Sequence, residues 1–187
     1  MAHLHYANEE ARAVSSLFGA KPLVGDAATL VALRAEAGKN DVVHLIAHID
    51  VNHDHPQLSS ISLGDTKNDG TLKLNDIYNF DLRKTSLVVL SGCESHMGNR
   101  TRGDDIFSLS RAFIYAGASS VVANLWSVDD AATEQLMVAF YTHLKAGMGK
   151  AEALRAAQTD VRQEYTNPFY WAGFVLTGDP GTLEHSR

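Results

Sequence analysis

The sequence predicts an α/β domain built on a mainly parallel sheet covered by helices on both faces. Three observations predict it. Short apolar runs at 42–48, 86–91 and 119–125 are separated by segments whose apolar residues recur at helical spacing. The runs are mostly apolar rather than alternating, as in strands buried on both faces. The length of 187 residues, 45% hydrophobic and 20% charged, fits one ordinary domain with a packed core. A single domain is therefore expected over residues 1–187.

Residues 8–18 open the chain as a helix, with Ala11, Val14, Leu17 and Phe18 on one face and Glu9 and Glu10 in the dipole-favoured first turn. Asp26 is expected to cap a second helix that stops at Gly38. The run 42–48 reads as one buried strand. Alternation in 60–63 and 71–74 around Asn68, Asp69 and Gly70 predicts a hairpin with one wet face. A short helix over 75–80 leads to the strand 86–91. The polar, glycine-containing stretch 94–103 is an exposed loop. A helix over 104–116 stops at Gly117, the strand 119–125 follows, and helices over about 130–146 and 150–163 are separated by Gly147 and Gly149. The segment 167–177 gives a turn and a last strand, with Tyr170, Trp171 and Phe174 as core anchors.

Composition excludes several functions. Lys plus Arg number 16 against 22 Asp plus Glu, a net charge of −6, and no basic run offers a nucleic-acid surface. One cysteine, Cys93, excludes an intrachain disulfide framework and any multi-thiolate metal site. No apolar stretch is long enough for a membrane span and no signal peptide is legible, so a cytoplasmic setting is expected. No phosphate-cradling glycine loop is present. The segment 65–76 resembles a calcium loop, but Lys67 stands at a ligand position and Asp76 where Glu is needed. His53, Asp54 and His55 lack a third good metal ligand and read as a polar loop. Arg102-Gly103-Asp104 is a chance tripeptide.

In open α/β sheets functional groups collect at the carboxyl ends of the strands. That rule selects His48, ending the first apolar run, and Cys93, just past the second. A thiolate is the nucleophile, and a nearby imidazole stabilises it and moves the proton. Gly92 permits the sharp turn that exposes the sulfur. Taken singly, each residue also has an ordinary reading, a small buried thiol and a satisfied core histidine.

The segments VVHLIAHID (42–50), LVVLSGCES (87–95), RAFIYAGASSVVANLWSVDDAATEQLMVAFYTHL (111–144), GKAEALRAAQ (149–158) and YWAGFVLTGDP (170–180) together resemble the CHAT family of caspase-like, separase-like cysteine peptidases, over about residues 8–180. The resemblance implies a caspase-like three-layer α/β/α sandwich and a protein or peptide substrate cleaved by a His/Cys pair, with no metal or cofactor. It implies that His48 is the catalytic histidine, Cys93 the nucleophile and His44, on the same strand face, a supporting residue. The backbone N–H groups of Cys93 and Ile49 would form the oxyanion hole. The family pattern places Gly after the catalytic histidine. Ile49 keeps the N–H, but a β-branched residue resists unusual φ values, and one misplaced donor costs ~2–4 kcal/mol.

Two carboxylates, Asp129 and Asp130, follow Trp126 past the third strand. In the separase-like branch an acidic residue here accepts a basic P1 side chain, so either could line the S1 pocket. Either could equally cap the next helix. Arg100 and Arg102 make the 94–103 loop a candidate gate open to self-cleavage, against the plain reading of a solvated surface loop. The family's domain commonly follows regulatory helical repeats, so a helical-repeat partner is implied. Two alternatives stay open: an inactive CHAT domain acting as a docking module in a larger signalling assembly, and a different α/β hydrolase or signalling domain.

Overall fold

A computed structural model describes residues 7–52, 55–64, 70–92 and 103–183. Its strands are β1 (Val42–Ile46), β2 (His48–Asp50), β3 (Ser60–Ser62), β4 (Thr71–Lys73), β5 (Leu87–Ser91), β6 (Ser120–Asn124) and β7 (Phe174–Gly178). Its α-helices are α1 (Ala7–Leu17), α2 (Leu30–Glu36), α3 (Leu74–Ile77), α4 (Gly103–Tyr115), α5 (Asp130–Lys145) and α6 (Lys150–Glu164). The central sheet has the order β1-β5-β6-β7, with β1, β5 and β6 parallel and β7 antiparallel at its edge. A small antiparallel sheet, β2-β3-β4, carries the hairpin. Its predicted turn at Asn68 and Asp69, the calcium-like positions around it, and His53 and Asp54 lie outside the described residues.

Every residue of β5 and β6 is buried, which is why these runs carry no polar alternation. Successive side chains still point to opposite faces. Val88, Leu90, Val121 and Ala123 pack against Leu109 and Phe113 of α4, together with α2 and α3. Leu87, Val89 and Val122 pack against Leu136 and Phe140 of α5 and Leu154 of α6, with Val14 of α1. Helices thus cover both faces of a mainly parallel sheet, the three-layer arrangement expected. Full burial of Leu87 and of Leu90 stabilises the fold by ~1.5–3 kcal/mol each.

Three expectations are corrected. The run 42–48 is not one strand: it breaks at Ala47, β1 staying in the central sheet and β2 joining the small one. Periodicity cannot see such a break, because both halves are apolar. The cap of α2 is Thr29, whose side chain accepts from the Ala32 N–H, while Asp26 sits in a preceding 3₁₀ turn. Phe18 lies past the end of α1 and is 46% exposed, its ring edge-on to Tyr141.

Candidate active site

Because β1 and β5 run parallel, their carboxyl ends meet at one edge of the sheet, with Ile46 in register with Ser91. The Ala47 N–H extends this pairing by donating to the Ser91 carbonyl at 3.1 Å. His48 follows Ala47 directly, and Cys93 follows Gly92 in the sequence. Cys93 itself lies outside the described residues, as do Arg100 and Arg102 of the loop after it. Gly92 is pressed against the other strand end: a Cβ there would collide with the Ala47 carbonyl oxygen and lie 3.2 Å from Ile49 Cγ1. The glycine is needed for this close approach.

His48 is half-buried as the first residue of β2, opposite Ser62, and its Nδ1 is shut off from solvent. Ile49 is 3% exposed and pairs with Ile61. Antiparallel pairs alternate between hydrogen-bonded and non-bonded types. The Leu63 N–H donates to Gly70 O and the Leu74 N–H to Ser59 O at the two ends of the β3–β4 ladder. Counting inward, Ile61 and Leu72 form a bonded pair, so the Ile61 amide and carbonyl face β4. Ile49, opposite Ile61, is therefore in a non-bonded pair, and its N–H points away from β3. Extended strand backbone suits a β-branched residue, so the Gly-to-Ile departure asks for no unusual φ.

His44 is on β1, not on the strand of His48, because of the break at Ala47. Its ring stacks on Tyr141 of α5 at 5.4 Å between centroids, and its Nε2 lies 3.1 Å from Oε1 of Glu10. That pair is close enough for an ion pair but off the line of a hydrogen bond. The other Glu10 oxygen accepts from Ser91 Oγ at 3.2 Å. Glu10 is only 3% exposed. It is thus a buried carboxylate on α1 that reaches the two strands leading to His48 and Cys93. Burial, and then the Glu10 charge, push the Tyr141 hydroxyl well above its ordinary range. The sequence reading assigned Glu10 only to the helix dipole. Its four-residue spacing from buried Val14 was the available sign that it faces inward.

On the other flank, Asn124 ends β6 at 5% exposure. Its Nδ2 donates to the Gly92 carbonyl at 2.8 Å and to the Trp126 carbonyl at 2.9 Å. Two carbonyls can only accept, so the amide's orientation is fixed. Its Oδ1 is buried with no partner among the described residues, which costs ~1–3 kcal/mol. Trp126 stacks on Phe169 at 6.3 Å, donates from its indole to the Phe169 carbonyl, and closes over Gly173. Asp129 caps α5, its Oδ1 accepting from the Ala131 and Ala132 N–H groups. Asp130 is the first residue of α5. Sequence reasoning named both acids but missed Asn124, which carries no motif of its own.

Among the described residues no cluster of three or more His, Cys, Asp or Glu side chains could hold a metal, and no helix is long and apolar enough to cross a membrane. A family model described as the CHAT domain matches residues 1–179. Tetratricopeptide repeat protein 28 of Homo sapiens is 29% identical over 206 aligned residues, and that of Mus musculus 30% over 211. Each match covers 92% of this chain, which spans only 8% of either relative. Among solved structures, the Arg-specific cysteine proteinase gingipain R superposes with a TM-score of 0.67 over 94% of this chain and 42% of its own, at 9% identity. That likeness is one of fold, the caspase-like α/β sandwich.

Proposed function

From the premise that the chain belongs to the CHAT domain family, we propose that it is a cysteine endopeptidase whose nucleophile is Cys93 and whose general acid–base is His48. One observation carries the reading: β1 and β5 are parallel neighbours ending in register at Ile46 and Ser91, and His48 and Cys93 each follow two residues later. The thiolate of Cys93 attacks the scissile carbonyl carbon. The imidazolium of His48 gives its proton to the departing amine, and the neutral ring then takes one from the water that cleaves the thioester. The backbone N–H groups of Cys93 and Ile49 hold the oxyanion, a role that the direction of the Ile49 N–H away from β3 supports. No metal or cofactor enters these steps, and a free nucleophilic thiol suits a reducing, cytoplasmic setting.

His44, set against Glu10 and Tyr141, has a supporting role rather than touching substrate. Asp129 or Asp130, past Trp126, selects a basic P1 residue, Asp129 also serving as the cap of α5. The loop with Arg100 and Arg102 is the segment a basic specificity would cut in self-cleavage. Fluorogenic peptides varied at P1, tested on wild type, Cys93→Ala and His48→Ala, decide the reading. Cleavage abolished by both substitutions is expected, with Arg or Lys preferred at P1. Silence, together with alkylation of Cys93 no faster than a free thiol, overturns it.

A second reading has its own support. The chain matches a small fraction of relatives named for tetratricopeptide repeats. A helical-repeat region, in the same chain or a partner, would then regulate the domain or use it as a docking module. Addition of such a region restoring cleavage to a silent domain separates regulation from docking.

A further inference from the structure

We propose that α1 is a release latch on the central sheet: docked, its Glu10 ties the ends of β1 and β5 together, and its detachment as a unit loosens the strand ends that lead to His48. The inference goes beyond the peptidase reading and does not depend on it. Of the 11 residues of α1, Glu10 and Val14 are buried, and Leu17 packs half-buried against the same core. The Glu10 carboxylate accepts from Ser91 Oγ, at the end of β5, at 3.2 Å, and lies 3.1 Å from His44 Nε2 on β1. One residue past β1, the Ala47 N–H donates to the Ser91 carbonyl at 3.1 Å. The two strand ends are thus joined once through backbone and once through a side chain of α1. A helix this short is marginal in water by itself, so α1 is helical because it is docked, and helix and docking are lost together.

The docked state is poised rather than locked. Apolar contacts hold it, with the Lys145 ammonium on the Leu17 carbonyl at 2.6 Å and the Phe18 ring edge-on to Tyr141. Against these, Glu10 Oε1, both His44 ring nitrogens and the Tyr141 hydroxyl are buried with no hydrogen-bond partner among the described residues. Water reaches and satisfies these groups when α1 lifts. The packing of α1 on α5 also brings like charges together. Burial, and then the charges of Glu9 and Glu10, raise the Glu134 carboxyl above its ordinary range. Departure of α1 relieves all of these costs and leaves the pairing of β5 with β6 untouched. Low-stability units of this kind are the ones regulation draws on, and a partner that binds only the released form biases the latch.

Native-state hydrogen exchange on the whole chain, corrected for intrinsic rates, tests the latch. In wild type the α1 amides are expected to exchange at least about tenfold faster than those of Val89 and Val122 in the central sheet. The Ala47 amide is expected to match α1 within about twofold, because one opening frees both. Glu134→Gln, which removes a like charge and keeps the volume, is expected to slow α1 and Ala47 by the same factor, about threefold or more. Asp179→Asn, which breaks the Lys150 pair outside the latch, is expected to speed Val89 and Val122 and leave α1 and Ala47 unchanged. Amides of α1 as slow as those of the sheet, or as unprotected as a free peptide, overturn the proposal. So does a Glu134→Gln variant in which α1 or Ala47 exchanges as in wild type, or an α1 that speeds up with Asp179→Asn. None of these outcomes depends on cleavage, so a wild type that cleaves no peptide counts against the peptidase reading alone.

Discussion

The Ala47 carbonyl oxygen rests directly on the Cα of Gly92, so the two strand ends that lead to His48 and Cys93 touch through bare backbone. A methyl group at Gly92 has no room, since the obstructing atom is backbone and cannot rotate away. Gly92→Ala is expected to cost ~1–3 kcal/mol of stability through overpacking. It is also expected to abolish peptide hydrolysis, because relief comes only by parting the strand ends. Thermal melts and cleavage assays check both. A variant with wild-type melting and turnover would show that the contact is dispensable.

The two acidic residues past Trp126 are predicted to separate by experiment. Asp129 accepts two N–H groups at the start of α5, so Asp129→Ala is expected to cost ~0.5–2 kcal/mol, with little change in P1 preference. Asp130→Asn is expected to weaken the preference for Arg and Lys over neutral residues. Parallel melts and P1 profiles test this. The assignment fails if Asp129→Ala alone erases the preference.

The layered sheet was legible because β5 and β6 are buried on both faces and keep their polar residues, Ser91, Ser120 and Asn124, to their ends, and helical spacing marked α4, α5 and α6 beside them. The break at Ala47 was not legible, since a strand that changes sheets keeps its apolar character on both sides. The place of His48 past the end of β1 could be found from the sequence alone, as could that of Cys93 two residues past the end of β5 in the chain. Its supports could not. Glu10 and Asn124 reach the site across 81 and 32 residues of sequence, through Ser91 and Gly92 respectively. Such contacts depend on tertiary packing, which no local period encodes.

Lys150 is fully buried at the start of α6, with its ammonium on Asp179 Oδ2 at 2.9 Å and on the Thr182 carbonyl at 3.4 Å. The Lys150 hydrogen bond, and then that of the Gly181 N–H, hold the Asp179 carboxyl below its usual 3.8. A carboxyl whose folded pKa is depressed contributes stability that is fully present above the unfolded value and is lost as pH falls through the folded one. Asp179→Asn is therefore expected to melt below wild type at neutral pH, with the gap narrowing as pH drops under 3.8. Melts across that range test it, and a gap constant with pH would sink the idea.

The buried cluster under β1 gives opposite expectations for two neighbours. The Tyr141 hydroxyl is buried without a hydrogen-bond partner among the described residues, although its ring packs on His44 and on Phe140. Removing only the oxygen keeps the packing and relieves an unpaired polar atom. Tyr141→Phe is thus expected to leave stability unchanged or raise it by up to ~1 kcal/mol. Glu10 is different, because Ser91 and His44 both lean on its carboxylate. Glu10→Ala strands the buried Ser91 hydroxyl, removes the carboxylate beside His44 and opens a void beside the strands that lead to the site, for a loss of about 3 kcal/mol. Glu10→Gln, which keeps the volume and one acceptor for the Ser91 hydroxyl, should recover most of the stability. Melting temperatures of the three variants check these outcomes. A stable Glu10→Ala would show that the carboxylate is a passenger.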